Sequence, residues 1–204
     1  MKTVFVDVER CVGCRHCELA CARAHQEPVP DSGQPLGPDS PRSRISVELG
    51  VDFLTFPLKC RHCNPAPCVQ VCPTGALYRD PEFDTVLIQE DLCISCGMCA
   101  MVCPFGAMTF AVSKKTGKKT AYKCDNCIDR QKKDQLPACV EACKTGALTF
   151  GYVNEIIKEA KKNIVLDLTR TIQGGQETSI PENMREFQAI RETLARLGPL
   201  PSSK

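Results

Sequence analysis

At 204 residues the chain has room for one large domain or two small ones, and a formal charge of +2 gives no global electrostatic case for binding nucleic acid. No stretch approaches the ~18 apolar residues of a membrane span, and 16 cysteines lie far above ordinary usage, so the thiols carry structure, metal or both. A disulfide-bonded secreted scaffold is the first alternative. Against it, the opening Met1-Lys2-Thr3-Val4-Phe5-Val6-Asp7-Val8-Glu9-Arg10 has acidic residues where a signal peptide needs an apolar core. Thiols two residues apart in unbroken triples also suit a shared metal centre better than disulfides. The expectation is a cytoplasmic protein folded under reducing conditions.

In chain order, Lys2 to Asp7 alternates apolar and polar residues and reads as a short strand. It leads into a first cysteine run, Cys11, Cys14, Cys17 and Cys21. Gln26 to Arg42 holds Pro28, Pro30, Pro35, Pro38 and Pro41 with Gly33 and Gly37, excludes helix and central strand, and reads as a surface connection. Ile45 to Leu58 reads as strand, followed by the second run, Cys60, Cys63, Cys68 and Cys72, with Pro65 and Pro67 stiffening its wider middle gap. Val86-Leu87-Ile88 is a short strand before the third run, Cys93, Cys96, Cys99 and Cys103-Pro104. Met108 to Val112 and Thr120 to Lys123 form a hairpin in which Gly117 supplies positive φ. The fourth run is drawn out, Cys124 and Cys127, then Cys139 and Cys143, with Pro137 placed to start the helical turn that carries the last two.

These runs are internal repeats. Cys72-Pro73-Thr74-Gly75-Ala76-Leu77, Cys103-Pro104-Phe105-Gly106-Ala107-Met108 and Cys143-Lys144-Thr145-Gly146-Ala147-Leu148 share one plan, with a glycine where the chain turns from helix into strand. Runs two, three and four start at intervals of roughly thirty residues, as duplication of one unit would leave them. The third run is the spacing C-x2-C-x2-C-x3-C-P that holds [4Fe–4S] clusters, in which the fourth cysteine serves the neighbouring cluster. Four such runs make four clusters with no thiol left over. Zinc is the competing metal: Cys124, Cys127, Cys139 and Cys143 alone pass for a four-thiolate ribbon. In the other runs a third cysteine soon after a pair is surplus to a zinc knuckle.

Runs two and three both end in Cys-Pro and lie close together, whereas runs one and four lack that proline and lie outside. Nested pairing follows as the favoured hypothesis. It groups Cys11, Cys14, Cys17 with Cys143; Cys124, Cys127, Cys139 with Cys21; Cys60, Cys63, Cys68 with Cys103; and Cys93, Cys96, Cys99 with Cys72. His16 and His62, each inside a Cys-Arg-His-Cys, are expected to pack or hydrogen-bond around a cluster, since the thiols already close every site.

The widened second run, the block Cys124-Asp125-x-Cys127 with Pro137-Ala138-Cys139-Val140-x2-Cys143, and the opening Cys11-x-Gly13-Cys14-Arg15-x-Cys17-Glu18-x-Ala20-Cys21 carry a resemblance. Over residues 1–152 the chain resembles the four-cluster ferredoxin-like subunits of bacterial redox complexes. These serve molybdenum or tungsten oxidoreductases, hydrogenases and carbon monoxide dehydrogenases; the opening and Arg42-Ser43-Arg44-Ile45 are similar to the carbon monoxide dehydrogenase and tungsten aldehyde oxidoreductase branch. The resemblance implies the nested ligation and an α+β fold of two ferredoxin-like units. The outer unit would be residues 1–58 with 109–152 and the inner 59–108, followed by a helical extension over 153–204. It also implies an electron-transfer subunit, not catalytic alone. Its partners would be a tungsten or molybdenum aldehyde or formate oxidoreductase or carbon monoxide dehydrogenase subunit, and a second redox partner. A free polyferredoxin and a zinc-bound interaction module remain as alternatives. The missing proline after Cys143 and a tail without a membrane helix depart from the pattern, and the tail argues against a membrane-tethered formate dehydrogenase arrangement.

Lys114, Lys115, Lys118, Lys119, Lys123, Arg130, Lys132 and Lys133 form the one strong charge concentration, either a solvated hairpin or a dock for an acidic electron partner. Asn154 to Lys162 reads as helix, Ile164 to Leu168 as extended chain, and Gly174-Gly175 as a break. Ser179-Ile180-Pro181-Glu182 resembles a capping box for a helix to about Leu197, with Met184, Phe187, Ile190, Leu194 and Leu197 on one face, open either to self-packing or to a partner. Head-to-tail association of copies is compatible with a relay that has two ends.

Overall fold

The computed structural model describes residues 2–25, 42–113 and 115–172, with residues 189, 190, 193 and 196. Lys114, nearly all of the proline-rich connection and most of the C-terminal stripe, with its capping box, lie outside the described residues.

Every β-ladder among the described residues is a two-stranded antiparallel pair. Strand β1 (Lys2–Val6) pairs with β8 (Leu148–Tyr152) from Lys2↔Tyr152 to Val6↔Leu148, joining positions far apart in sequence. The other pairs are local: β2 (Ile45–Leu49) with β3 (Thr55–Lys59), β4 (Leu77–Asp80) with β5 (Thr85–Ile88), and β6 (Thr109–Val112) with β7 (Lys119–Tyr122). The continuous strand expected over Ile45 to Leu58 is therefore two strands. Gly50 opens a turn whose N–H donates to Leu54 O at 2.6 Å, and the short 3₁₀ turn Val51–Phe53 reverses the chain.

Between the ladders lie helical turns that carry the cysteines. Helix α1 (His16–Ala24) carries Cys17 and Cys21, α2 (Pro67–Gln70) carries Cys68, and α3 (Met98–Met101) carries Cys99. The turn α4 (Ile128–Gln131) follows Cys127, and α5 (Ala138–Glu141) carries Cys139 with Pro137 at its N-cap, as the sequence leads one to expect. The repeated glycine does what its position requires. Gly75, Gly106 and Gly146 sit at φ 66°, 57° and 66°, and each donates its N–H to the carbonyl of Cys72, Cys103 or Cys143. That conformation is open to glycine at little cost and strains an ordinary residue.

Two buried groups form the core, and thiols are part of both. Val4, Ile45, Val47, Ala147 and Leu148 pack with Cys11, Cys17, Cys21 and Cys139. Ala66, Leu77, Val86, Met108 and Ala121 pack with Cys99. The chain then enters α6 (Val153–Ile172), a single helix of 20 residues that corrects the expectation of extended chain over Ile164 to Leu168. A run of apolar residues that includes β-branched ones resembles strand locally, yet no glycine or proline interrupts 153–172, so helix begun at Val153 propagates through it. This helix touches β8 at its start, where Ile156 lies over Gly151, and leaves Ile164 and Leu168 exposed. No helix among the described residues is long and apolar enough to cross a membrane.

Burial separates the two kinds of apolar position. Leu148→Ala, at 3 % exposure, is expected to lower stability by about 2–5 kcal/mol, and Ile164→Ala, at 58 %, by no more than ~0.5 kcal/mol, in anaerobic thermal unfolding.

Candidate metal centre

The fourth thiol of each inner run stands with the first three of the other. Cys72 lines one cavity with Cys93, Cys96 and Cys99, walled by Leu77, Ile88, Ile94 and Phe110. Cys103 lines a second with Cys60, Cys63 and Cys68, closed by Pro67, Val86, Pro104 and Met108. Among the described residues no three of these sulfurs stand within 4.8 Å of one another, as the ligands of a single zinc ion with Zn–S bonds of about 2.3 Å would. A larger inorganic core fits the spacing.

The remaining eight thiols gather where α1 lies against α5. Cys11, Cys17, Cys21 and Cys139 share one buried group, and Cys143 packs against it. Burial pushes the Cys17 thiol up to about 12, with Cys11 and Cys14 adding repulsion. Burial likewise takes Cys127 up to about 12 and Cys139 well above its ordinary value, and Cys21 adds to both shifts, as does Cys124. Without metal these three thiols stay protonated at neutral pH, and metal ions are what ionise them; for Cys21, burial is outweighed by His25 and the Arg44 N–H, which hold its thiol below the ordinary value.

Backbone amides already point at sulfur. The N–H groups of Arg44, His62, Ala121 and Asn126 donate to Sγ of Cys21, Cys60, Cys93 and Cys124 at 3.2, 3.4, 3.4 and 3.4 Å, and Ala107 N–H reaches Cys103 Sγ at 3.5 Å. Such bonds stabilise thiolates in place and are one of the levers that set a cluster's potential. The donor set, the cavities and the amide bonds all fit [4Fe–4S] groups.

Charged side chains that sequence reasoning passed over fill the spaces between the runs. Asp125 accepts from His25 Nε2 at 3.1 Å, from the Arg44 guanidinium and from the Cys127 N–H at 2.9 Å. His25 Nδ1 faces Cys21 O at 2.7 Å, so both ring nitrogens meet oxygen acceptors. Burial works against the imidazolium, but Asp125 and Cys21 outweigh it and hold His25 up at about 9. Burial also works against the Asp125 carboxylate, and His25 and Arg44 keep it below the usual range.

His62 meets the expectation of a packing role. It is buried and its Nδ1 accepts the Val86 N–H at 3.1 Å, with burial and the charges of Lys123 and Lys59 holding the ring neutral. His16 is exposed at the start of α1. The expected basic patch needs correction, because Lys123 is 4 % exposed, Arg130 pairs with Glu141 at 2.5 Å and Lys115 with Asp91 at 2.9 Å. The signal for the buried lysine was present in the sequence: Lys59-Cys60-Arg61-His62-Cys63 and Lys123-Cys124-Asp125-Asn126-Cys127 repeat one pattern.

Residues 51–153 match the family model described as the 4Fe-4S dicluster domain, which spans runs two to four. The protein belongs to the 4Fe-4S dicluster family. It is 41 % identical over 153 residues to YsaA of Escherichia coli (strain K12), whose name assigns it to electron transport, covering 75 % of this chain and 91 % of that one. It is 38 % identical to the electron transport protein HydN of the same strain, over 71 % of this chain and 85 % of HydN. A subunit of the anaerobic dimethyl sulfoxide reductase of that strain is 36 % identical over 76 % of this chain and 75 % of its own length. As a member of this family the chain is a ferredoxin-like iron–sulfur electron-transfer protein, homologous to subunits of oxidoreductase complexes.

Asp125→Asn leaves two cations without their carboxylate in a site whose side chains are less than one-fifth exposed. A loss of about 3 kcal/mol is expected, at the low end for a broken buried pair. Adding Arg44→Met should recover part of it in a double-mutant comparison of unfolding midpoints.

Proposed function

We propose that the chain carries four [4Fe–4S] clusters in two nested ferredoxin-like units and relays electrons between a catalytic oxidoreductase subunit and a second redox partner. The ligand sets are Cys11, Cys14, Cys17 and Cys143; Cys124, Cys127, Cys139 and Cys21; Cys60, Cys63, Cys68 and Cys103; and Cys93, Cys96, Cys99 and Cys72. The observation that carries this reading is the pair of cavities, each lined by three thiols of one inner run and the last thiol of the other. The long-range β1–β8 pair and the packing of α1 on α5 support the same exchange between the outer runs. The outer unit would be residues 1–58 with 109–152, the inner 59–108, and residues 153–204 an extension.

A [4Fe–4S] cluster supplies transfer of one electron at a time. The protein's own contribution is to exclude water, donate amide hydrogens to sulfur and leave two ways in. Cys14 and Cys96 are exposed, whereas Cys21, Cys124, Cys127 and Cys139 are buried. The sets containing Cys14 and Cys96 are therefore the ends of the relay. The exposed Ile94, Met98 and Met101 around Cys96 offer one of these ends an apolar contact surface. The likeness to a dimethyl sulfoxide reductase subunit supports a catalytic oxidoreductase partner; we read that partner as a tungsten or molybdenum aldehyde or formate oxidoreductase or a carbon monoxide dehydrogenase, the opening motif favouring the carbon monoxide dehydrogenase and tungsten aldehyde oxidoreductase branch. The expected compartment is the cytoplasm.

Anaerobically prepared protein should contain iron and acid-labile sulfide for four cubanes per chain. Cys72→Ser and Cys96→Ser should each remove the same EPR signal, and Cys60→Ser a different one; loss of one signal by Cys72→Ser and Cys60→Ser together would overturn the nesting. Lys118 and Lys119 remain exposed on the β6–β7 hairpin. Reversing both to Glu should slow electron exchange with an acidic partner several-fold at low ionic strength and weaken its salt dependence in stopped-flow traces.

A further inference from the structure

Two lysines that the electron-transfer reading leaves without a role are among the most buried side chains in the molecule. Lys59, at the end of β3, is 2 % exposed, and Lys123, directly after β7, is 4 % exposed. Each precedes the first cysteine of a run. Each ammonium donates to the carbonyl of that cysteine, Lys59 Nζ to Cys60 O at 3.2 Å and Lys123 Nζ to Cys124 O at 3.0 Å, and Lys123 also donates to Val86 O. Neither forms an ion pair with a carboxylate among the described residues; the buried carboxylate nearby, Asp125, is taken by Arg44 and His25.

A buried cation faced only by neutral carbonyls is costly and needs an anion close by. The Lys123 ammonium, beside run four in the chain, donates to Val86 O, and Val86 walls the cavity of Cys60, Cys63, Cys68 and Cys103, so it reaches across to run two. Lys59 holds the matching place in the repeated Lys-Cys-x-x-Cys pattern, and the through-space effects of both lysines run crosswise in the same way. Lys59, beside Cys60 in the chain, opposes the burial-driven rise of the Cys124 and Cys139 thiols in run four. Lys123, beside Cys124 in the chain, opposes the rise of the Cys68 thiol in run two. His62 lies where both charges are felt. The buried His62 and Asn126 occupy equivalent places in the two runs, at φ 51° and 61°, and each keeps one polar atom without a partner, Nε2 and Oδ1.

We propose that Lys59 and Lys123 are exchanged counter-charges for the two interior clusters: each ammonium stands on the approach to one cysteine run and sets the reduction potential of the cluster held by the other. The inference rests on the four-cluster reading given above. Four thiolates outweigh the positive charge of an iron–sulfur core, and accepting an electron makes the group more negative still. A fixed positive charge nearby therefore favours the reduced state and raises the potential, net charge being one of the terms that set it. The lysines act through the clusters' electrostatics and touch no substrate.

The test is an EPR-monitored redox titration of the full-length, anaerobically loaded protein. Cys139→Ser and Cys68→Ser first identify the signals of the two interior clusters by their loss. Lys59→Gln, which keeps a donor and drops the charge, should lower the midpoint of the signal lost in Cys139→Ser. Lys123→Gln should lower the midpoint of the signal lost in Cys68→Ser. Lys59→Arg and Lys123→Arg should return each midpoint toward that of the unaltered protein. Unchanged midpoints in fully loaded Gln variants would overturn the proposal, as would each lysine shifting only the cluster of its own run. Gln variants that fail to take up a full complement of iron would assign the ammoniums to building the sites and overturn the tuning role. Failure of the four-cluster reading is seen separately, as unaltered protein with iron and sulfide short of four cubanes.

Discussion

Sulfur that must be both buried and anionic governs this molecule. A thiol in an apolar core keeps its proton, as the raised values at Cys17, Cys127 and Cys139 show, and a thiolate there needs positive charge beside it. Little else in the chain could hold it folded. The strands are four or five residues long, each ladder has two strands, and most of the helices around the thiols are single turns. Isolated two-stranded ladders are marginal in water. The buried groups that join them are built around cysteine side chains, as in small metal domains, whose folding is coupled to metal binding.

That requirement explains the distribution of charge inside the protein. Lys59, Lys123, Arg44 and His25 lie inside, with Asp125 as the carboxylate that pairs with two of them. In an ordinary core such a surplus of buried cations would be hard to tolerate. Next to sulfur anions it is a counter-charge. Amide N–H groups aimed at sulfur add to the same field without adding net charge. Protein donors thus face several of the interior thiols, whereas Cys14 and Cys96 are exposed.

Much of this was legible in the chain, and the errors have local causes. The glycine after the last thiol of runs two, three and four named its turn correctly, because positive φ is a local demand that glycine meets best. The β6–β7 hairpin and the turn after Pro137 followed from equally local chemistry. Ile45 to Leu58 misled because alternation is indifferent to direction, and a hairpin hinged at Gly50 keeps the same pattern as one long strand. Ile164 to Leu168 misled because a short apolar run is ambiguous when taken apart from the helix that enters it. Lys123 was grouped with its neighbours on the hairpin although the ladder ends at Tyr122, where the chain turns inward.

By itself the sequence determined the chemistry: sixteen thiols at cluster spacing, a repeated turn, and a family of iron–sulfur electron carriers, since ligand type and spacing are covalent properties of the chain. Only the tertiary structure decided which distant thiols share a cavity and which cations stand beside them. Cys72 with Cys93, and the Lys123 ammonium on Val86 O, are juxtapositions made by strand pairing and helix packing between segments far apart in the chain. A spacing rule reaches along the backbone for a dozen residues or so. An electrostatic field reaches through space, and space is arranged by the fold.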